Sequence, residues 1–275
     1  MTQKTILIIG AKSDVAIAVA YKFAKEGFNI QLAGRQIDDL SDMRADINFR
    51  FNVNVSLFEL DILDFASFEN FFKDLNTMPD LALCAVGLLG NQLKDQKNIE
   101  QTSLVMKTNF EAPAIFLGLL GNIFEERKFG TIIGISSVAG ERGRGSNYIY
   151  GSAKSGFTAF LSGLRNRLHP SNVRVISIIP GFIATKMTKD LELPGLLTAN
   201  PKKLANRIYI GYSKGGADII FYKHIWAFFM LIIRLLPEKI FIEFKLNTLL
   251  FELGSKCKSS TPRVRRSLYI SALKE

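Results

Sequence analysis

Six short apolar runs recur along the first two thirds of the chain: "TILIIG" (5–10), "NIQLAG" (29–34), "VSLFEL" (55–60), "LALCAVG" (81–87), "GTIIGIS" (130–136) and "VRVISIIPG" (173–181). Each is near-continuously hydrophobic rather than alternating, as strands covered on both faces are. Between them apolar residues return every three or four positions. "DVAIAVAYKFAKEG" (14–27) is one such stretch and predicts an amphipathic helix that Gly27 closes as a C-terminal cap. Strands alternating with helices at this spacing predict right-handed βαβ units, hence an α/β chain with a doubly wound parallel sheet.

The alternation fades after about residue 190. "LELPGLLTANPKKL" holds two prolines and a glycine, so residues 191–216 are expected to form a substrate lid or loop. Residues 217–253 open with "ADIIFYKHIWAFFMLIIRLLPEKIFIEF", an apolar helical extension whose run from 225 to 233 is unbroken. Lys223, His224 and Arg234 interrupt any window long enough to span a bilayer, which argues against a crossing helix. Two readings remain: a buried core or subunit-contact helix, or a helix lying in a membrane interface with its cations reaching the head groups. Residues 1–190 then form the core of a single domain, and residues 254–275 a tail.

Composition alters this picture little. The chain has 275 residues, enough for one large core, and about half of them are apolar. Net charge is +10, but unevenly spread: the tail carries Lys256, Lys258, Arg263, Arg265, Arg266 and Lys274 against Glu275, half of the excess. That tail lacks interleaved aromatics apart from Tyr269, so no nucleic-acid partner is expected. Cys84 and Cys257 lie far apart and suit a reducing compartment. With only His169 and His224 available, no histidine-based metal site is expected. "MTQKTILIIGAKSD" reads as a strand and glycine turn rather than an export signal, so a cytoplasmic chain is expected, with a peripheral place at the inner membrane face as an option.

Candidate chemistry gathers at the strand ends. Gly10 ends the first strand, followed by Lys12, Ser13, Asp14 and Val15; Ser13 or Asp14 can cap the next helix. A helix N-terminus of this kind suits a nucleotide pyrophosphate. The second strand ends in Gly34 and Arg35, where a reader of NAD usually places an acid. A guanidinium there suits a 2′-phosphate, so NADP(H) is expected, with Lys12 adding to the same pocket. Asp61 and Ile62 sit where an adenine edge could be bonded, although Asp at a strand end often caps a helix. In "SSVAGERGRGSNYIYGSAKSG" (136–156), Tyr150 and Lys154 stand one helical turn apart and share a face. An ammonium beside a phenol favours phenolate, making it a usable acid–base group. Ser137, just past the fifth strand, can hold a carbonyl oxygen. Tyr148 is expected to pack or to line the pocket.

This segment resembles the catalytic stretch of the short-chain dehydrogenase/reductase family, and the resemblance runs from about residue 4 to 190. It implies a Rossmann-type fold and a homo-oligomer. It also implies Tyr150 as proton donor to a carbonyl, Ser137 as its orienting partner, and Lys154 as a group lowering the tyrosine pKa and holding the nicotinamide ribose. Asn109 in "VMKTNFEAP" matches the family's fourth member, which holds a water in a proton relay. "PGFIAT" matches the segment after the sixth strand, placing Pro180, Gly181, Ile183 and Thr185 at the nicotinamide, with Ala85 and Gly87 of "CAVG" beside it. Ile9, Asp14 and Ala16 depart from the family's glycine turn, and an Asp near a pyrophosphate repels unless it turns away. "AVGLLGNQ" and "MLIIRLLPEKIF" resemble the branch acting on decaprenylphosphoryl 2-keto-pentoses (erythro-pentofuranosid-2-uloses). That branch implies a lipid-linked keto-sugar substrate, a flavin oxidase partner, cell-envelope polysaccharide synthesis and membrane-surface contact. The alternatives are a reductase of a long-chain 3-keto lipid or acyl thioester, and a catalytically idle NADP-binding scaffold or sensor.

Overall fold

The computed structural model describes residues 3–189, 197–223 and 225–243. Among these, seven strands form one parallel sheet in the order β3-β2-β1-β4-β5-β6-β7. The strands are β1 (Thr5–Ile9), β2 (Asn29–Gly34), β3 (Val55–Glu59), β4 (Leu81–Cys84), β5 (Gly130–Ile135), β6 (Val173–Pro180) and β7 (Ile219–Tyr222). The six expected strands are all present, and β1, β2, β4 and β5 are buried almost throughout. Their unbroken apolar runs follow from helices covering both sheet faces.

One face carries α1 (Asp14–Lys25), α2 (Ser41–Phe51) and α8 (Pro201–Ser213), with Phe23, Ile47 and Ile208 in a shared core. The other carries α3 (Phe68–Asp74), α6 (Ala112–Glu126) and α7 (Tyr148–Leu168), packed through Phe68, Phe116 and Phe157. Two shorter helices, α4 (Gln92–Asp95) and α5 (Ile99–Met106), lead from β4 into α6. Ser13 caps α1 by accepting from the Ala16 N–H at 3.1 Å, and Gly27 follows it at φ +84°, a left-handed conformation that suits glycine.

Two expectations need correction. The lid expected over 191–216 is a core helix from 201 to 213: Pro201 occupies its first turn, Asn200 caps it, and Leu204, Ala205 and Ile208 are buried against α1. The prolines and glycine mark the approach to this helix; residues 191–196 lie outside the described residues. The apolar segment 217–253 is likewise not one helix. It begins with β7, paired in parallel to β6, and continues as α9 (Ile225–Leu235) and α10 (Glu238–Glu243). Its residues 244–253, the tail 254–275 and Cys257 fall outside the described residues, whereas Cys84 is a buried free thiol.

Candidate active site

Strand order reverses between β1 and β4, which opens a crevice at the carboxyl edge of the sheet where such folds bind ligands. Every residue singled out from the sequence stands on or next to this edge. Gly10 turns the chain out of β1 at φ +78°; a Cβ there would come within 3.0 Å of the Ala85 and Val86 backbone. Only glycine permits that approach. Ala85 is tied back to β1 through its N–H to Ile9 O at 2.9 Å, and Val15 packs the helix start into the core.

Asp14 is committed to a bond within the chain. Ser13 performs the capping, while the Asp14 carboxylate accepts the Lys186 N–H at 2.6 Å across 172 residues of chain. The carboxylate thereby latches the turn that follows β6. In that turn Thr185 and Thr188 cap one another, Ile183 pairs with Ala199, and Met187 reaches the space in front of Gly87.

At the end of β2, Arg35 is exposed and free to meet a ligand. Glu59, which the sequence reading passed over, shapes this corner: its carboxylate accepts the N–H groups of Gln36 and Ile37 at 2.8 and 3.0 Å. Gln36 is left-handed, at φ 50°. A carboxylate on β3, one strand over from a "GR" turn, was the available signal. Lys12 does reach the corner, but it pairs with Asp39 at 2.5 Å and contacts Gln36, so much of its charge is already countered. Asp61 spends its side chain on a local turn, accepting the Leu63 N–H at 3.0 Å, and Ile62 is buried beside it.

The chemical group assembles between β4, β5 and α7. The two serines take different jobs. Ser136 is buried and bonds Lys154 O and Thr158, tying β5 to α7. Ser137 faces the crevice, accepts the Ala139 N–H at 3.1 Å and stands close enough to the Tyr150 hydroxyl to lower that group's pKa. Gly140 and Gly151 let the Ser137 turn lie directly on α7: a Cβ on Gly140 would meet the Lys154 backbone carbon at 2.7 Å, and one on Gly151 would meet Ala139 O at 2.8 Å. Tyr148 is half exposed, with its hydroxyl 3.5 Å from Gln96, so it belongs to the rim.

Lys154 is 3% exposed and donates to Ile135 O at 3.2 Å and Val86 O at 3.4 Å. An ammonium has three donors, so one remains for a ligand hydroxyl. Burial lowers its pKa to about 8, with a smaller opposing effect from Cys84. Tyr150 moves opposite to expectation: burial pushes its pKa up to about 12, and the nearby Ser137 hydroxyl offsets only part of this. The ammonium lies 5.9 Å from the phenol ring centre, and desolvation decides the direction of the shift.

Asn109 lies in a π-helical stretch, Lys107–Glu111, between α5 and α6. Such an extra-residue turn often marks a functional position. Its side chain is fully buried and occupied, accepting the Leu88 N–H at 3.1 Å and donating to Leu88 O and Val105 O. The side chain thus clamps the strand-end loop in place. Gly87 sits between the clamp and the lysine; a Cβ there would lie 3.3 Å from Asn109 Oδ1 and 3.7 Å from Lys154 Nζ.

These features fit a nicotinamide dinucleotide. The first-turn N–H groups of Asp14 and Val15, left over once Ser13 has taken that of Ala16, adjoin the Gly10 turn at the crevice, and Lys154 has a donor to spare there. Comparison with known proteins agrees with this geometry. Residues 4–194 match the family model described as short chain dehydrogenase. An uncharacterized oxidoreductase of Mycobacterium tuberculosis is 30% identical over 203 residues, covering 73% of this chain and 81% of its own. A 3-oxoacyl-(acyl-carrier-protein) reductase FabG of Chlamydia trachomatis is 28% identical over 196 residues, 70% of this chain and 79% of its own. Among solved structures, a short-chain dehydrogenase from Sphingobium yanoikuyae in complex with NADPH superimposes with TM-score 0.75 at 19% identity, covering 94% of this chain and 98% of that one. The serine–tyrosine–lysine cluster at the switch point and the match over most of the chain have one meaning: this protein belongs to the short-chain dehydrogenase family.

Proposed function

We propose that the chain is an NADPH-dependent carbonyl reductase whose substrate carries a lipid tail. The observation that carries the chemistry is Tyr150 beside Ser137 with a buried Lys154 ammonium 5.9 Å from the phenol ring centre. Bound NADPH would supply hydride to the carbonyl carbon; Arg35, Gly10, the α1 N-terminus, Lys154 and the 183–185 segment are the groups that would hold it. Tyr150, protonated throughout the neutral range, donates its proton to the carbonyl oxygen. Ser137 holds that oxygen against the phenol, and the Lys154 ammonium favours the phenolate left after transfer. Met187 borders the substrate end in front of Gly87, and Trp226 backs Gly181 from the core.

Within this reading the favoured substrate is a polyprenylphosphoryl 2-keto-pentose of cell-envelope synthesis, supplied by a flavin oxidase that oxidises the sugar hydroxyl. The exposed apolar helices beside the Ser137 turn support a membrane-held substrate. A 3-oxoacyl thioester is the second reading, favoured by the similarity to FabG. Self-association is proposed through the exposed Met106, Phe110 and Ile115 along α5 and α6.

The test is NADPH oxidation with each substrate class, on the wild type and Tyr150→Phe. Loss of the general acid is expected to lower kcat by about 10²–10⁴ while leaving the NADPH Kd within about threefold. Turnover of neither class, or an undiminished Tyr150→Phe enzyme, would contradict the proposal.

A further inference from the structure

We propose that the outward face of α9 and α10 docks on the surface of an anionic phospholipid bilayer. The 11-residue helix α9 is apolar on both sides. Trp226, Met230 and Ile233 face inward, against Val138, Ile179 and Leu197. Phe228, Leu231, Ile232 and Leu235 fall within an opposing arc of about 100° at ~100° per residue and are 43–75% exposed. Ile240 and Ile242 of α10 add to them at 53% and 75%. Six large apolar side chains exposed within 15 residues is far from the scattered pattern of an ordinary surface.

Charge selects the occupant. The described chain ends on this face, and residues 244–275 that follow carry seven Lys/Arg against two Glu. An isologous contact through so short a strip would bring two such segments to one interface, where they repel. An anionic bilayer takes the apolar face and the cations together. Insertion is shallow, because no helix among the described residues is long and apolar enough to cross a membrane.

The face is also rigidly joined to the active site. Arg142, five residues after Ser137, donates to Ile233 O at 2.5 Å and Leu236 O at 2.6 Å and pairs with Glu238 at 2.7 Å. Arg234 pairs with Glu141 at 3.1 Å. Trp226 packs on Gly181 so closely that any Cβ there would enter the indole. Docking therefore presents the crevice beside Ser137 to the lipid surface, which supplies the route for the tailed substrate proposed above.

Flotation of the full chain with substrate-free vesicles tests this independently of turnover. Vesicles of phosphatidylglycerol and phosphatidylcholine are expected to carry the wild type, and pure phosphatidylcholine to carry at least tenfold less. Phe228→Glu with Leu231→Glu, both on the exposed arc, is expected to cut anionic binding at least tenfold with an unchanged melting temperature. Should these substitutions destabilise the chain, Leu235→Ser, at the most exposed position of α9, provides the same comparison. No binding to anionic vesicles overturns the proposal, as does sedimentation showing a dimer that the same substitutions dissolve. Vesicle binding without any keto reduction would instead count against the reductase reading alone.

Discussion

Two residues carry the least ordinary electrostatics of the site, Asp14 and Lys154. Asp14 places a carboxylate on the first turn of the helix that would receive a pyrophosphate, yet commits it to the Lys186 N–H. Asp14→Asn keeps an acceptor and removes the charge. Repulsion between charges several ångströms apart at a protein surface is worth about 1 kcal/mol, so NADPH is expected to bind about fivefold tighter to this variant at low salt. The gain should vanish in 1 M salt. Asp14→Ala also cuts the latch and is expected to leave the 185–188 turn more open to protease. Titration and limited proteolysis check the pair, and unchanged binding in Asp14→Asn would mean that the carboxylate does not sense the cofactor.

Lys154 loses its proton near pH 8, whereas Tyr150 keeps its own to about 12. The reductive kcat/KM of the free enzyme is therefore expected to fall as pH rises through about 8, checked by a pH–rate profile. The same shift bears on stability. The folded pKa lies below the unfolded value of 10.5, so the unfolded chain binds more protons between pH 8 and 10.5, and this residue's penalty is largest below pH 8. At 1.36 kcal/mol per unit, that penalty is about 3 kcal/mol. Lys154→Met is expected to be inactive but more heat-stable at pH 7, with an advantage that shrinks toward pH 10. Paired melting curves at the two pH values decide it; equal stability at both would show the ammonium to be fully compensated by its carbonyl partners.

At the scale of elements, the catalytic geometry depends on backbone packed against backbone. The Ser137 turn can rest on α7 because Gly140 and Gly151 present no side chain. Gly140→Ala forces the turn off the helix and is expected to lower kcat at least tenfold while cofactor affinity changes little; parallel kinetics and NADPH titration separate the two. Elements with a strong local signature were legible in the sequence: six strands by their unbroken apolar runs, α1 by its period and caps, and the Tyr150–Lys154 face by spacing alone. β7 was not, because "IIFY" merges into the following apolar helix without a break, although two β-branched and two aromatic residues ahead of a Lys-His pair were a strand signal. α8 was hidden by the prolines at its approach, one of which starts the helix.

For the whole molecule, what escaped the sequence reading is what depends on distance in space. The Asp14–Lys186 latch spans 172 residues, Glu59 reaches the Arg35 corner from the next strand, and the Tyr150 shift depends on how deeply the fold buries it. The class of chemistry, by contrast, was legible because the strand ends converge on one edge wherever a doubly wound sheet forms. Under the proposed function that edge receives a phosphorylated nicotinamide cofactor, with Arg35 left open at the end of β2. The most direct check is fluorescence titration of NADPH and NADH against the wild type and Arg35→Ala. Loss of a charge-assisted contact worth about 1.5–3 kcal/mol is expected to weaken NADPH binding about 10- to 100-fold while leaving NADH nearly unchanged. Failure of the wild type to bind either cofactor, or equal weakening of both in Arg35→Ala, would contradict the assignment.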